Sequence, residues 1–110
     1  MMAEAGFYLW ETTDISIKLS GDGNPLEGWE RIVVSIAQNG RPVLELFDED
    51  LGIDVSESKI NVHLTQEQTG SFREGDAVVQ VNVYYSDSER DVSVKGHLTV
   101  LDNLHKKVMP

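Results

Sequence analysis

The chain contains no cysteine, and this one absence removes disulfide scaffolds, thiol nucleophiles and thiolate metal sites together. Positive charge is scarce as well: Lys and Arg number 9 against 19 Asp and Glu, a formal charge of -10. Nonspecific nucleic-acid binding runs on Lys and Arg neutralising phosphates, so no nucleic-acid partner is expected. No apolar run approaches the roughly 18 residues that a membrane span requires. The start MMAEAGFYLWETT carries neither a basic nor an apolar leader region, so no span and no signal are expected. Phosphate cradles are missing too, since Gly21, Gly23 and Gly28 form no Gly-rich motif ahead of a helix. With 110 residues the chain holds one core, and a single domain over 1–110 is expected.

Apolar residues instead recur at every second position. Thr12 to Leu19 sets Ile15, Ile17 and Leu19 against Asp14, Ser16 and Lys18, and Trp29 to Gln38 repeats the pattern with Ile32, Val34 and Ile36. Lys59 to Leu64 turns Ile60, Val62 and Leu64 inward and Asn61 and His63 outward. Asp76 to Tyr85 is the longest such run, with Val78, Gln80, Asn82 and Tyr84 on its polar side, and Asp91 to Leu101 follows in phase. A period of two is the mark of strands that bury one face.

The connections are legible in part. Asn39-Gly40 suits a type I′ hairpin, which needs positive φ at both central residues. Pro42 cannot donate to a ladder, so Arg41 to Phe47 reads as an edge strand. Residues 1–12 read as an arm or edge strand, Asp48 to Ser58 as an irregular acidic stretch, and 102–110 as a tail. Gly96 suggests a bulge or a close backbone approach. Thr65 with Gln68 has capping-box spacing, enough for one turn of helix before Gly70. The expected class is all-β: an antiparallel sandwich of about seven strands, preferred over a small barrel.

Chemistry is hard to place on this chain. No G-x-S-x-G elbow is present, and His63, His97 and His105 stand apart in sequence, so no catalytic residue is expected and the chain reads as a non-enzyme. Neither Asp22-Gly23-Asn24 nor Asp48-Glu49-Asp50 with Asp54 follows the EF-hand pattern, so no metal or other cofactor is assigned. The aromatics are the better candidates for contact. Phe7, Tyr8, Trp10, Trp29 and Tyr84, with Val43 on the expected edge strand, are the residues expected to bind a partner or form an interface.

One segment resembles a known family. Ile60-Asn61-Val62-His63-Leu64-Thr65-Gln66-Glu67-Gln68-Thr69, followed by Phe72, Gly75 and Ala77-Val78-Val79-Gln80-Val81, resembles a pattern in tail-associated structural proteins of phages and prophages of Gram-positive bacteria. The pattern is similar to that of the N-terminal immunoglobulin-like domain of baseplate upper proteins. That resemblance implies an immunoglobulin-like sandwich acting as a non-catalytic assembly module of a virion. It would be made in the bacterial host cytoplasm and bound to other virion proteins or to further copies of itself. Within the motif, Leu64 would anchor the strand end while Thr65 and Gln68 close the turn, a structural role. The alternative is a carbohydrate-binding or adhesion module, with Trp10, Trp29 or Tyr84 stacking on sugar and an acidic loop holding calcium.

Overall fold

The computed structural model describes residues 2–3, 6–20, 24–86 and 92–102, with the first pair and Val92 described by backbone alone. Where the sequence alternates, the chain is extended. The strands are β1 (Met2–Ala3), β2 (Gly6–Tyr8), β3 (Thr13–Lys18), β4 (Trp29–Gln38), β5 (Arg41–Phe47), β6 (Leu51–Asp54), β7 (Lys59–Leu64), β8 (Gly75–Tyr85) and β9 (Val92–Leu101). A five-residue helix α1 (Gln66–Gly70) and a single 3₁₀ turn (Asp48–Asp50) complete the described elements.

Two sheets result, with strand orders β1-β3-β7-β6 and β2-β9-β8-β4-β5. Their inner faces meet in one apolar cluster. Ile15, Ile17, Ile60, Val62 and Leu64 come from the smaller sheet, and Ile32, Val34, Ile36, Val79, Val81 and Val83 from the larger. Each such side chain contributes about 1.5–3 kcal/mol when fully buried, so this shared layer holds the sheets together. Phe7 joins it edge-on to Phe72, ring centroids 5.1 Å apart.

The Asn39-Gly40 turn has φ of 53° and 76°, as a type I′ hairpin demands, and β5 lies at the sheet edge. Register shifts beside Ile36 and Ala37, which face Leu44 and Pro42, leaving Val43 as the extra residue. A proline and a bulge on one edge strand are devices that discourage pairing with another chain.

Several sequence expectations need correction. Nine strands are present among the described residues rather than about seven, and the sheets are mixed, because β2 runs parallel to β9 from Gly6↔Thr99 to Tyr8↔Leu101. The antiparallel seven-strand immunoglobulin-like sandwich is therefore not what forms. Part of the acidic stretch expected to be irregular is β6, which pairs with β7 because Leu51 and Ile53 have apolar cover to reach. Gly96 makes no bulge: β8 and β9 run in register from Gly75↔Val100 to Val83↔Val92 without a shift. The loop at Gly21 to Gly23, the turn at Asp87 to Asp91 and the tail from Asn103, His105 included, lie outside the described residues.

Candidate functional site

Register places the outward side chains of the larger sheet in rows that cross four strands. Glu45, Ser35, Gln80 and Lys95 stand opposite one another on β5, β4, β8 and β9. Pro42, Ala37, Val78 and His97 form the next row. These two rows floor an open groove of about 690 Å³, bounded by Asn39, Gly40 and Asp76. Gln80 is oriented within it: Nε2 donates to Asn82 Oδ1 at 3.1 Å and to Ser93 Oγ at 3.0 Å. Its carbonyl oxygen accepts no bond from a described residue, so a donor is offered no competition there.

The same face carries exposed apolar groups. Tyr8, Phe47, Val55, Tyr84 and Leu101 are the exposed large hydrophobics among the described residues, and all but Val55 stand on it. Tyr84 is 41% exposed on the Gln80 side of β8, four residues along, or roughly 13 Å at strand rise. Tyr8 is 50% exposed opposite Leu101 at the other end of the sheet. An aromatic ring near each end and hydrogen-bonding groups between them suit an amphipathic ligand.

The expected contact residues separate into two groups. Tyr8 and Tyr84 are free faces, whereas Phe7 is buried in the core and cannot serve as a docking ring. Trp10 and Trp29 are half-buried and pack against the core, as does Val43 at the bulge. Trp10 covers Gly70 so closely that a Cβ there would collide with its ring, and its backbone has φ of 64°. The groove residues Ser35, Glu45, Lys95 and His97 were not expected. Their outward parity was legible, but the strand order that aligns them was not.

The Leu64–Gln68 motif is a structural corner. Thr65 Oγ1 accepts from the Gln68 N–H at 3.2 Å and Gln68 Oε1 accepts from the Thr65 N–H at 2.8 Å, a complete capping box. Leu64 is fully buried. The buried Thr69 hydroxyl lies 2.9 Å from the Glu11 carbonyl, tying α1 to the chain leading into β3.

Two carboxylates outside the groove are committed to local bonds. Asp48 Oδ1 accepts from Arg31 Nε at 3.1 Å and from the Ile32 N–H at 3.3 Å. Asp54 accepts from the Ser56 hydroxyl at 2.7 Å and the Glu57 N–H at 3.2 Å, and those bonds hold its pKa below the ordinary 3.8. No group of three His, Cys, Asp or Glu that could hold a metal occurs among the described residues. Nor is any described helix long and apolar enough to cross a membrane.

These features define a class: a two-sheet all-β protein with an amphipathic groove on the outer face of one sheet. No protein-family model matches the chain, and no curated protein does. Solved structures match in fold. The endo-beta-1,4-mannanase from Thermotoga petrophila aligns at TM-score 0.58 and 9% identity, over 91% of this chain and 18% of its own. A "putative glycoside hydrolase" from Bacteroides vulgatus aligns at TM-score 0.51 and 13% identity, over 91% of this chain and 17% of its own. CD84 aligns at TM-score 0.43 and 7% identity, over 89% of this chain and 95% of its own, too loosely to support an argument. The chain thus spans less than a fifth of the two glycoside-hydrolase chains, and at such identities the likeness is one of fold. It corrects the virion, phage-tail and baseplate expectation, since the two fold matches that carry weight are to glycoside hydrolases rather than phage structural proteins.

Proposed function

We propose that this chain is a non-catalytic carbohydrate-binding or adhesion module whose ligand lies across the outer face of the larger sheet. The observation that carries this reading is the groove itself, with one polar row and one mostly apolar row between two exposed tyrosines. Sugars present hydroxyls at their rims and apolar C–H faces, and this surface offers partners for both. Support also comes from the fold, which forms a minor part of an endo-mannanase and of a second glycoside-hydrolase-like chain.

Catalysis is disfavoured by spacing. Glu45 and Asp76 both line the groove. They lie two strands apart and are offset by four residues, because Glu45 and Gln80 both align with Ser35. Strand spacing and rise put their backbones roughly 16 Å apart. Glycoside hydrolysis needs carboxyl groups about 5–9.5 Å apart. Exposed side chains at that backbone distance are not held in such a pair.

Affinity electrophoresis through gels containing neutral or acidic polysaccharides tests the proposal. Retardation is expected in at least one gel, without release of reducing ends. Gln80→Ala and His97→Ala should weaken it, whereas Asn61→Ala on the smaller sheet should not. Migration unaffected by every polysaccharide would sink the reading.

A further inference from the structure

Beside the groove, at the end of the β4–β5 hairpin, lies a second recess of about 440 Å³ lined by Gln38, Asn39, Arg41, Val43, Ser71 and Arg73. It concentrates positive charge in a chain that has only 9 Lys and Arg against 19 Asp and Glu. Gln38 brings the two arginines together. It faces Arg41 across the hairpin ladder. Its side-chain amide also clamps the Arg73 backbone, Nε2 donating to the Arg73 carbonyl at 2.7 Å and Oε1 accepting from the Arg73 N–H at 2.9 Å. Both guanidinium groups therefore project from fixed backbone.

Neither is neutralised by a described residue. Among the described residues Arg31 pairs with Asp48, but Arg41 and Arg73 have no ion-pair partner, even though Glu74 follows Arg73 directly. Two unpaired like charges at one recess repel, and an oxyanion between them would remove that repulsion. A guanidinium presents a planar donor fork that fits a carboxylate with two parallel hydrogen bonds. Asn39 lines this recess and the groove alike, so one extended ligand can reach both.

Resting on the carbohydrate-binding reading, we infer that Arg41 and Arg73 form a carboxylate subsite, which makes the preferred ligand an acidic saccharide carrying uronic acid units. The net negative charge of the chain sharpens this role, because only a local basic spot lets a polyanionic sugar approach. Binding should consequently weaken as salt rises.

Calorimetric titration compares a β-1,4-linked mannuronate hexamer with the neutral β-1,4-mannohexaose, which differs only at C6, and with hexaglutamate. The mannuronate should bind the wild-type protein about tenfold more tightly than the neutral hexamer, the scale of one charge-assisted contact. Arg41→Gln and Arg73→Gln should each abolish most of that preference while leaving the neutral affinity unchanged. Lys18→Gln, an equal charge change on the other sheet, should alter neither. Equal binding of both sugars would overturn the carboxylate subsite and leave the groove reading intact. Hexaglutamate binding as tightly as the mannuronate would overturn the saccharide assignment, and no binding of either sugar by the folded protein, together with unretarded migration in every polysaccharide gel, would sink both.

Discussion

The outer faces of the two sheets obey the same alternation yet differ in what they present. On the smaller sheet Asp14 faces His63, Ser16 faces Asn61, and Lys18 faces Lys59, which in turn faces Asp54. These are short or charged groups. The Asp14–His63 contact of 2.7 Å is exposed on both sides and holds little energy in water. The larger sheet has more strands abreast, and its outward residues mix amide, imidazole, carboxylate and aromatic groups above a recess. Alternation thus decides which side chains enter the core. What the other face can do depends on how many strands stand side by side and in what order.

The inner faces should show no such contrast, and this gives the largest expected effects. Ile36 and Ile60 are both buried, one in each sheet. Truncating either, Ile36→Ala or Ile60→Ala, should cost about 2–5 kcal/mol through lost transfer energy and a residual cavity. Urea denaturation measures both. A cost confined to one sheet would mean that the sheets do not share a core. Next in size is Gly70→Ala, where the new Cβ meets the Trp10 ring. Overpacking of this kind costs about 1–3 kcal/mol. Because neither Gly70 nor Trp10 lines the groove, groove binding should survive the change. Thr65→Ala should follow at about 1 kcal/mol, the worth of a lost N-cap. An unchanged urea midpoint would show that the capping box contributes nothing.

How much of this was written locally can be argued from particular residues. Ile15, Ile17, Val79 and Val81 declared their burial through spacing alone, and Asn39-Gly40 declared its turn through backbone conformation. Thr65 and Gln68 are three residues apart, so their bonds needed no knowledge of the rest of the chain. The parallel pairing of Phe7 with Val100 joins the two ends of the sequence, and nothing near Phe7 encodes it. For the same reason Glu45 and Lys95 could not be seen as members of one row, since their alignment passes through Ser35 and Gln80 on two intervening strands. The arginine recess was hidden likewise. Gln38 and Arg73 are 35 residues apart, and only the fold closes that distance.

The smallest expected effect belongs to the smaller sheet and concerns pH. Asp54 ends β6 and accepts from the Ser56 hydroxyl and the Glu57 N–H within the turn that leads to β7. Those two bonds, in that order, with a lesser attraction from Lys59, lower its pKa from 3.8. A carboxylate favoured in the folded state binds protons less readily there than in the unfolded chain. Its contribution to stability is therefore complete above the unfolded value and is lost as pH falls through the lower, folded one. The carboxylate faces solvent, so the consequence is local: the turn loosens in acid while the shared core stays intact. The Glu57 amide proton resonance, followed by NMR as acid is added, should titrate with a midpoint below 3.8, and Asp54→Asn should abolish that titration. A midpoint at or above 3.8 would mean that the Ser56 and Glu57 bonds do not favour the charged form.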